Sequence, residues 1–448
     1  MRLFAFLRSG RIASGVAILA LTQFAASLAG LLRDRALTSV FADHFGVVDV
    51  YIAAFRPSDL LFQTAIMSAV GTVLVPILAS YEAKGDTRGL GKVLNGTVGM
   101  AALVFGILAL ILGIVFPSIA PFLVQFEGEQ LELYISFGRL ALFTNFLFVF
   151  GITFGQYLIT VQRYWMYGIT PVLYTLGTIF GTYVFTPSIG AYGPMAGTIV
   201  GASMYVLIRF LAVHMNGVRF RFSLWHADLK EIGRLMMPRI LSLGAFQFQL
   251  LFLDRIASGF PEGAVTINAY ARNFQSLLVG IVGIAVAQSV YSVLSQAAAK
   301  NDARKFILYF RKGEMVTLLL TVPGAIALVL LAPVAAWLVH LSGVLRVFSL
   351  CVLIYSFSIP FESLNHLQLR AFYALRDTFI PAIMGISGGL IAIVVATFSA
   401  RTYGIYGIAA GYTSGIIIQT LGLWALLPRK RNRTLAPISP LAEAEVSA

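Results

Sequence analysis

Charge is what this sequence has least of. Asp, Glu, Lys and Arg make up 11% of its 448 residues, against ~25% in an ordinary soluble domain. A chain so poor in charge cannot clothe a soluble surface of its size. Cysteine is almost missing too. Cys351 stands alone, which excludes an internal disulfide and any multi-cysteine metal site. The five histidines are scattered, with no HxxxH or HExxH spacing, so the common two-histidine zinc arrangement is excluded. There is no glycine loop ending in GK[ST] and no Ser-His-Asp arrangement. Nucleotide hydrolysis and nucleophilic catalysis therefore have no foothold. No catalytic residue and no resident cofactor is expected, and any energy for work must be ionic or supplied elsewhere.

What is present is apolar. Hydrophobic residues make up 58% of the chain and its mean hydropathy is +0.86. A helix needs ~20 apolar residues to cross a ~30 Å hydrocarbon core. That ruler predicts twelve spans, near 12–32, 49–79, 93–116, 131–160, 168–186, 192–213, 234–257, 265–297, 313–340, 345–374, 379–399 and 404–427. The fold class is thus all-α and integral to a membrane. Arg2, Arg8 and Arg11 before the first span resemble a signal peptide. The run that follows exceeds an h-region of ~7–15 residues and no small-residue cleavage site ends it, so a retained helix is expected. Pro57, Pro76, Pro238, Pro323 and Pro360 fall within spans, where each removes a backbone donor and can kink its helix.

The net charge is +13. On a soluble protein that would suggest nucleic acid. Here most Lys and Arg lie in one alternate set of inter-span segments, whereas the opposite set carries Asp43, Asp49, Glu127, Glu129, Glu132 and Glu262. By the positive-inside rule both termini are cytoplasmic. The expected location is a cell membrane, with lipid as the surrounding partner and no nucleic acid. The tail from 428 begins basic, then turns to Pro, Ala and Ser, a composition that favours disorder.

The chain also repeats itself. Lys84-Gly85-Asp86-Thr87-Arg88 returns as Lys300-Asn301-Asp302-Ala303-Arg304 at an offset of 216, which Pro117 and Pro333 share. Tyr192-Gly193-Pro194-Met195-Ala196-Gly197 returns as Tyr406-Gly407-Ile408-Ala409-Ala410-Gly411 at an offset of 214. Six spans per repeat give both halves one orientation, related by a pseudo-twofold along the membrane normal. The expected domains are a six-helix lobe over 1–213, a cytoplasmic linker over 214–233, a second lobe over 234–427 and the tail over 428–448. Parallel repeats of this kind build transporters with a central site between halves that rock. Such a protein needs no second copy to form its pathway, so a functional monomer is expected.

Charges inside spans narrow the choice, because each costs ~2.5–3.5 kcal/mol on insertion scales and usually faces a cavity or a partner. Arg33 and Asp34 end the first span, either snorkelling to the interface or lining a cavity as a held arginine. Arg56 and Asp59 are three apart on one helix face, as an i,i+3 ion pair or as a substrate contact. Arg139 in span four and Arg272 in span eight have no acid at helical spacing, and a cavity role is favoured for Arg272. Glu362, His366 and Arg370 form a stripe at i, i+4, i+8, either a proton or ion relay or a self-satisfying polar face. Asp254-Arg255 reads as an interfacial pair. Guanidinium binds phosphate in a planar fork and stays charged when desolvated, so inward arginines suit an anionic substrate such as a diphosphate head group.

The stretch Gly30-Leu31-Leu32-Arg33-Asp34, Phe41, Asp49-Val50-Tyr51-Ile52-Ala53-Ala54-Phe55-Arg56, Leu60-Leu61 and Val75-Pro76-Ile77-Leu78-Ala79-Ser80-Tyr81 resembles the N-terminal signature of the lipid II flippase family (MurJ/MviN-like), of the MOP exporter superfamily. Tyr270-Ala271-Arg272 with Gly280, Gly283, Ala285, Ser295 and Asn301 is similar to that family's eighth helix. The resemblance implies two six-helix lobes around a cationic cavity. It implies flipping of an undecaprenyl-diphosphate-linked peptidoglycan precursor to the outer leaflet by alternating access, drawing on membrane potential or a monovalent ion. On this reading Arg33, Arg56, Arg272, Arg139 and Asn273 would bind substrate, and Asp34, Asp49, Asp59 and Glu362 would gate or pair charge. The chain departs from the family pattern at Ser27 and Phe62, where arginines are usual, and at Asn273, where the eighth-helix arginine aligns. Twelve spans are read where the family has fourteen, the last two forming a groove for the lipid tail. Two alternatives stand beside this: a flippase for another lipid-linked oligosaccharide or an ion-coupled exporter, with Glu362 and Asp59 carrying more of the function, and a membrane scaffold without transport.

Overall fold

A computed structural model describes residues 10–226 and 228–435. Arg2, Arg8 and the tail beyond 435 lie outside the described residues, as do the side chains of Arg11, Pro238 and Arg239. The described residues form helices and no strand. The main ones are α1 (Gly10–Val40), α2 (Phe45–Phe62), α3 (Ser68–Ala83), α4 (Thr87–Leu123), α5 (Gly128–Thr160), α6 (Tyr164–Phe180), α7 (Gly193–Met215), α8 (Leu229–Ala257), α9 (Ala264–Leu278), α10 (Ala285–Ala299), α11 (Ala303–Leu330), α12 (Ala332–Leu338), α13 (Leu345–Ser356), α14 (Ser358–Ala374), α15 (Phe379–Tyr403) and α16 (Ile405–Thr434). Only helices and closed barrels satisfy every backbone group in lipid, and the exterior suits that solvent: Leu110 is 65% exposed, Ile114 67% and Trp424 61%.

Among the described residues, ten stretches are long and apolar enough to cross a membrane. One of them, Tyr164–Met215, holds two of the expected spans, separated by a turn at Gly190. Leu229–Ala257, which covers another, is not among the ten, and several of its side chains lie outside the described residues. The chain is therefore a multi-pass membrane protein. It divides into two compact units. One runs to Gln247 and includes Leu338–His340, and the other takes Phe248–Trp337 and the residues from Leu341 onward. The division falls within α8.

The repeat is written into local conformation. Gly85 and Asn301 both adopt positive φ, 67° and 54°. Asp86 and Asp302, each the next residue, cap the following helix by accepting from Gly89 N at 2.8 Å and Lys305 N at 2.9 Å, the usual economy of a short acidic side chain at a helix start. Wider π-type turns interrupt the second helix of each repeat at Gln63–Met67 and Val279–Ile284. Gln162 and Arg376 share φ near 57°. Gly190 and Gly404 share φ 58° with ψ −134° and −139°.

Small residues then let backbones meet. A Cβ on Gly197 would lie 2.6 Å from Gly181 Cα, and one on Gly411 would lie 2.6 Å from Ala392 O. Gly193, Gly197 and Gly201 on α7 recur as Gly407, Gly411 and Gly415 on α16. This is the small-xxx-small seam through which membrane helices gain van der Waals contact. Each unit also has its own apolar core, around Leu74, Val98 and Phe105 in the first and Leu294, Phe306 and Phe372 in the second.

Candidate functional site

In the first unit, α1 continues to Val40, so Arg33 and Asp34 sit about two turns inside the helix and not at its end. Asp34 is 3% exposed and accepts from Arg33 Nη2 at 2.6 Å and Nε at 3.0 Å. A carboxylate that buried is not snorkelling, and it fixes the guanidinium. Asp49 is also buried, in the first turns of α2. Further along α2, Asn145 Nδ2 reaches from α5 to Asp59 Oδ1 at 3.0 Å and to Ser58 Oγ at 2.8 Å. Ser58 in turn donates to Ala141 O at 3.1 Å. Arg56 lies one turn before Asp59, half-buried.

The second unit answers at the same repeat positions. Arg272 stands 216 residues after Arg56, and Gln275 216 after Asp59. Gln275 Nε2 donates to Glu362 Oε2 at 2.8 Å and to Ser358 Oγ at 3.0 Å, both on α14. Tyr412 of α16 donates to the same Glu362 oxygen at 3.0 Å. Each unit thus has an arginine, then one turn later a carboxylate–amide–serine cluster joining the second and fourth helices of the repeat. The roles are exchanged. The acid sits on α2 in the first unit and on α14 in the second. In both, the cluster immediately precedes the π-type interruption, which widens the helix and re-aims the residues beside it.

Arg272 is 6% exposed. Its Nη1 lies 4.0 Å from Asp254 Oδ1, and Asp254 is 1% exposed. The expectation of an interfacial Asp254-Arg255 pair is therefore corrected: the carboxylate is buried inside the unit, facing an arginine on the next helix. Asn273, the next residue along α9, is exposed where Arg272 is buried. The Glu362 stripe is not continuous: Glu362 is bonded to other helices, and the Arg370 guanidinium lies 5.5 Å from the Tyr291 ring. Arg139 is exposed and donates through Nε to Gly113 O at 3.0 Å, in a groove lined by α4 and α5; Ala141 and Asn145 of the first unit's cluster lie two and six positions further along the same helix.

The two departures from the family pattern have physical content. Ser27 Oγ merely back-bonds to Gln23 O at 3.0 Å. Phe62 is a core residue, edge-on to Phe105 at 5.8 Å. One fully buried cation escaped the sequence reading. Arg209 on α7 is 1% exposed, donates to Thr170 Oγ1, Gly151 O and Tyr167 O at 2.8 to 2.9 Å, and lies 4.0 Å from the centre of the Tyr205 ring. Held by three hydrogen bonds and a ring face, it is a structural brace. Its only sequence signal is an arginine in the interior of an apolar run.

No group of three or more His, Cys, Asp or Glu among the described residues could hold a metal. The site offers guanidinium forks next to buried carboxylates, which suits reversible capture of an anion.

Comparison with known proteins agrees. The family model "Lipid II flippase MurJ" matches residues 41–442. Proteins described as probable lipid II flippase MurJ from Bdellovibrio bacteriovorus and Vibrio cholerae are 23% and 24% identical, covering 89% and 88% of this chain and 79% of each of theirs. A solved lipid II flippase MurJ in an inward closed conformation superposes with a TM-score of 0.74 at 19% identity, over 96% of this chain and 90% of that one. A Vibrio cholerae MATE transporter in a bent form gives 0.58 at 16%, over 95% and 99%, so that protein shares the fold. The chain belongs to the lipid II flippase MurJ family.

Proposed function

We propose that this protein moves lipid II, an undecaprenyl-diphosphate-linked peptidoglycan precursor, from the cytoplasmic to the outer leaflet. It is a transporter and not an enzyme. The family match across residues 41–442 carries the reading. The arginine–carboxylate clusters supply its chemistry. Arg33, Arg56 and Arg272 take the diphosphate, each guanidinium offering a two-pronged fork to phosphate oxygens. Asp34 and Asp254 hold Arg33 and Arg272 ready in the absence of substrate. When the diphosphate arrives it competes with these carboxylates for the same donors. Anion capture then reorganises buried contacts within each unit, which gives alternating access a local trigger. Asp59 and Glu362, one turn beyond Arg56 and Arg272 along the repeat, take up the compensating monovalent cation or respond to the membrane potential. Both termini face the cytoplasm and one chain suffices.

Complementation tests this reading. A bacterium depleted of its own lipid II flippase is given the wild-type chain, Arg272→Ala or Arg272→Lys. Growth with wild type, partial growth with lysine and lysis with well-inserted alanine are expected. Normal growth with the alanine chain would overturn the role of Arg272. Lysis with correctly inserted wild type, in a host shown to accept a close relative of this chain, would overturn the substrate.

A further inference from the structure

Arg139 is an arginine deep in an apolar span that the transport reading does not use. Its helix, α5, has 33 residues, ~50 Å of rise against a ~30 Å hydrocarbon core. Arg139 lies eleven positions from Gly128, ~16 Å along the axis. On a helix centred in the core that is about 6 Å below the hydrocarbon edge, on the side of the Val124–Glu127 turn. Yet Arg139 is exposed, and it lines an external groove of about 510 Å³ between α4 and α5, with Leu110, Ile114, Leu142, Phe143 and Phe146.

The sequence explains why it can stay there. Pro117 has no N–H, so the carbonyl of Gly113, four residues earlier, lacks its helical donor. Arg139 Nε fills that vacancy at 3.0 Å. One of five guanidinium N–H donors is then used; no other hydrogen bond to Arg139 occurs among the described residues. The small residues Gly106 and Gly113 keep the groove open along α4. A single cation, fixed by its stem-side nitrogen in a groove with apolar walls, is complementary to an amphiphile with one negative charge and a hydrocarbon chain. An intramembrane cation of this kind calls for a partner, and the matching chemistry among bilayer components is the phosphodiester of an anionic lipid.

We propose that the α4–α5 groove is a binding site for an anionic glycerophospholipid, its phosphate on Arg139 and an acyl chain along Leu110, Ile114 and Phe143. Arg33, Arg56, Asp59 and Arg272 do not line this groove, and the proposal stands whether or not lipid II is the substrate.

The test uses the purified full-length chain in detergent, titrated with phosphatidylglycerol, phosphatidylcholine or glycerol phosphate and read by native mass spectrometry and melting temperature. Wild type should retain phosphatidylglycerol about fivefold better than phosphatidylcholine, the preference one surface cation supplies, and should retain no glycerol phosphate. Arg139→Gln should erase the preference while leaving phosphatidylcholine retention unchanged; Arg139→Lys should keep part of it. Leu110→Trp, which fills the groove from its exposed rim and leaves the guanidinium, should lower retention of both lipids, and it provides an answer even if the glutamine chain fails to fold. Equal retention of the two lipids by wild type, an undiminished preference in Arg139→Gln, or unchanged retention in Leu110→Trp would each overturn the proposal.

Discussion

Arg272 and Asp254 can be separated into a structural and a functional contribution. Removing the guanidinium with Arg272→Ala leaves the Asp254 carboxylate, 1% exposed and 4.0 Å from where its counter-charge stood. At an effective dielectric near 20, two unit charges at that distance attract by about 4 kcal/mol. Breaking one side of a buried pair typically costs about 3–5 kcal/mol, whereas removing both partners is often close to neutral. Arg272→Ala should therefore melt well below wild type in detergent, and Arg272→Ala/Asp254→Ala should recover most of that loss. Transport should behave otherwise. Both alanine chains lack the fork that takes phosphate and should be inactive, although the double variant is stable. Asp254→Asn keeps the fork and should retain activity despite a lower melting temperature. Additive losses in the double variant would refute the coupling of these two groups. Transport by the stable double variant would refute the phosphate role of Arg272.

Other outcomes follow from the same structure. Gly197→Val and Gly411→Val each place a branched side chain where even a Cβ lies 2.4 to 2.6 Å from neighbouring backbone, well past ordinary overpacking costs of about 1–3 kcal/mol, so both should yield poorly folded protein by size-exclusion chromatography. Asp377, in the turn between α14 and α15, has its carboxyl held below the usual carboxylate range. Burial pushes it up, but hydrogen bonds from Lys430 and the backbone N–H groups of Ile380 and Phe379, with the Lys430 charge, outweigh that. A depressed folded value means that stability is present above the ordinary Asp range, about 3.9, and is lost as pH falls through the folded value. Asp377→Asn should therefore lower the melting temperature at pH 7 and lose its effect in strong acid; an equal deficit at both ends would contradict this.

Much of the architecture was legible because bilayer physics leaves few options. Apolar runs had to be helices, and the Asp86/Asp302 and Gly193/Gly407 correspondences marked a duplication that the structure repeats in caps, turns and π-type interruptions. Arg56 and Arg272 were singled out on separate grounds, and their shared repeat position follows from the offset of the flanking motifs. What could not be read was partnership between helices. Asp254 is far from helical spacing with Arg272, so only the way the chain turns back from α8 into α9 reveals the pair. Gln275 and Glu362 are 87 positions apart. Arg139 had a partner that is a main-chain carbonyl, set free by a proline on another helix, and such an acceptor leaves no side-chain signal. Arg209 signalled only an arginine within an apolar run, and the sequence did not say that Gly151 and Gly155 open the space it fills: a Cβ on Gly155 would lie 2.4 Å from its Nη1.

The most direct test is reconstitution. Purified protein is placed in sealed vesicles carrying lipid II in one leaflet, and the head group reaching the other leaflet is followed over time with a membrane-impermeant enzyme or label. Wild type should move the head group much faster than protein-free vesicles, with Arg56→Ala and Arg272→Ala close to the protein-free rate and Asn273→Ala near wild type, because Asn273 lies on the exposed side of α9. Undiminished movement by both arginine variants, or a wild-type rate no faster than empty vesicles, would contradict the account.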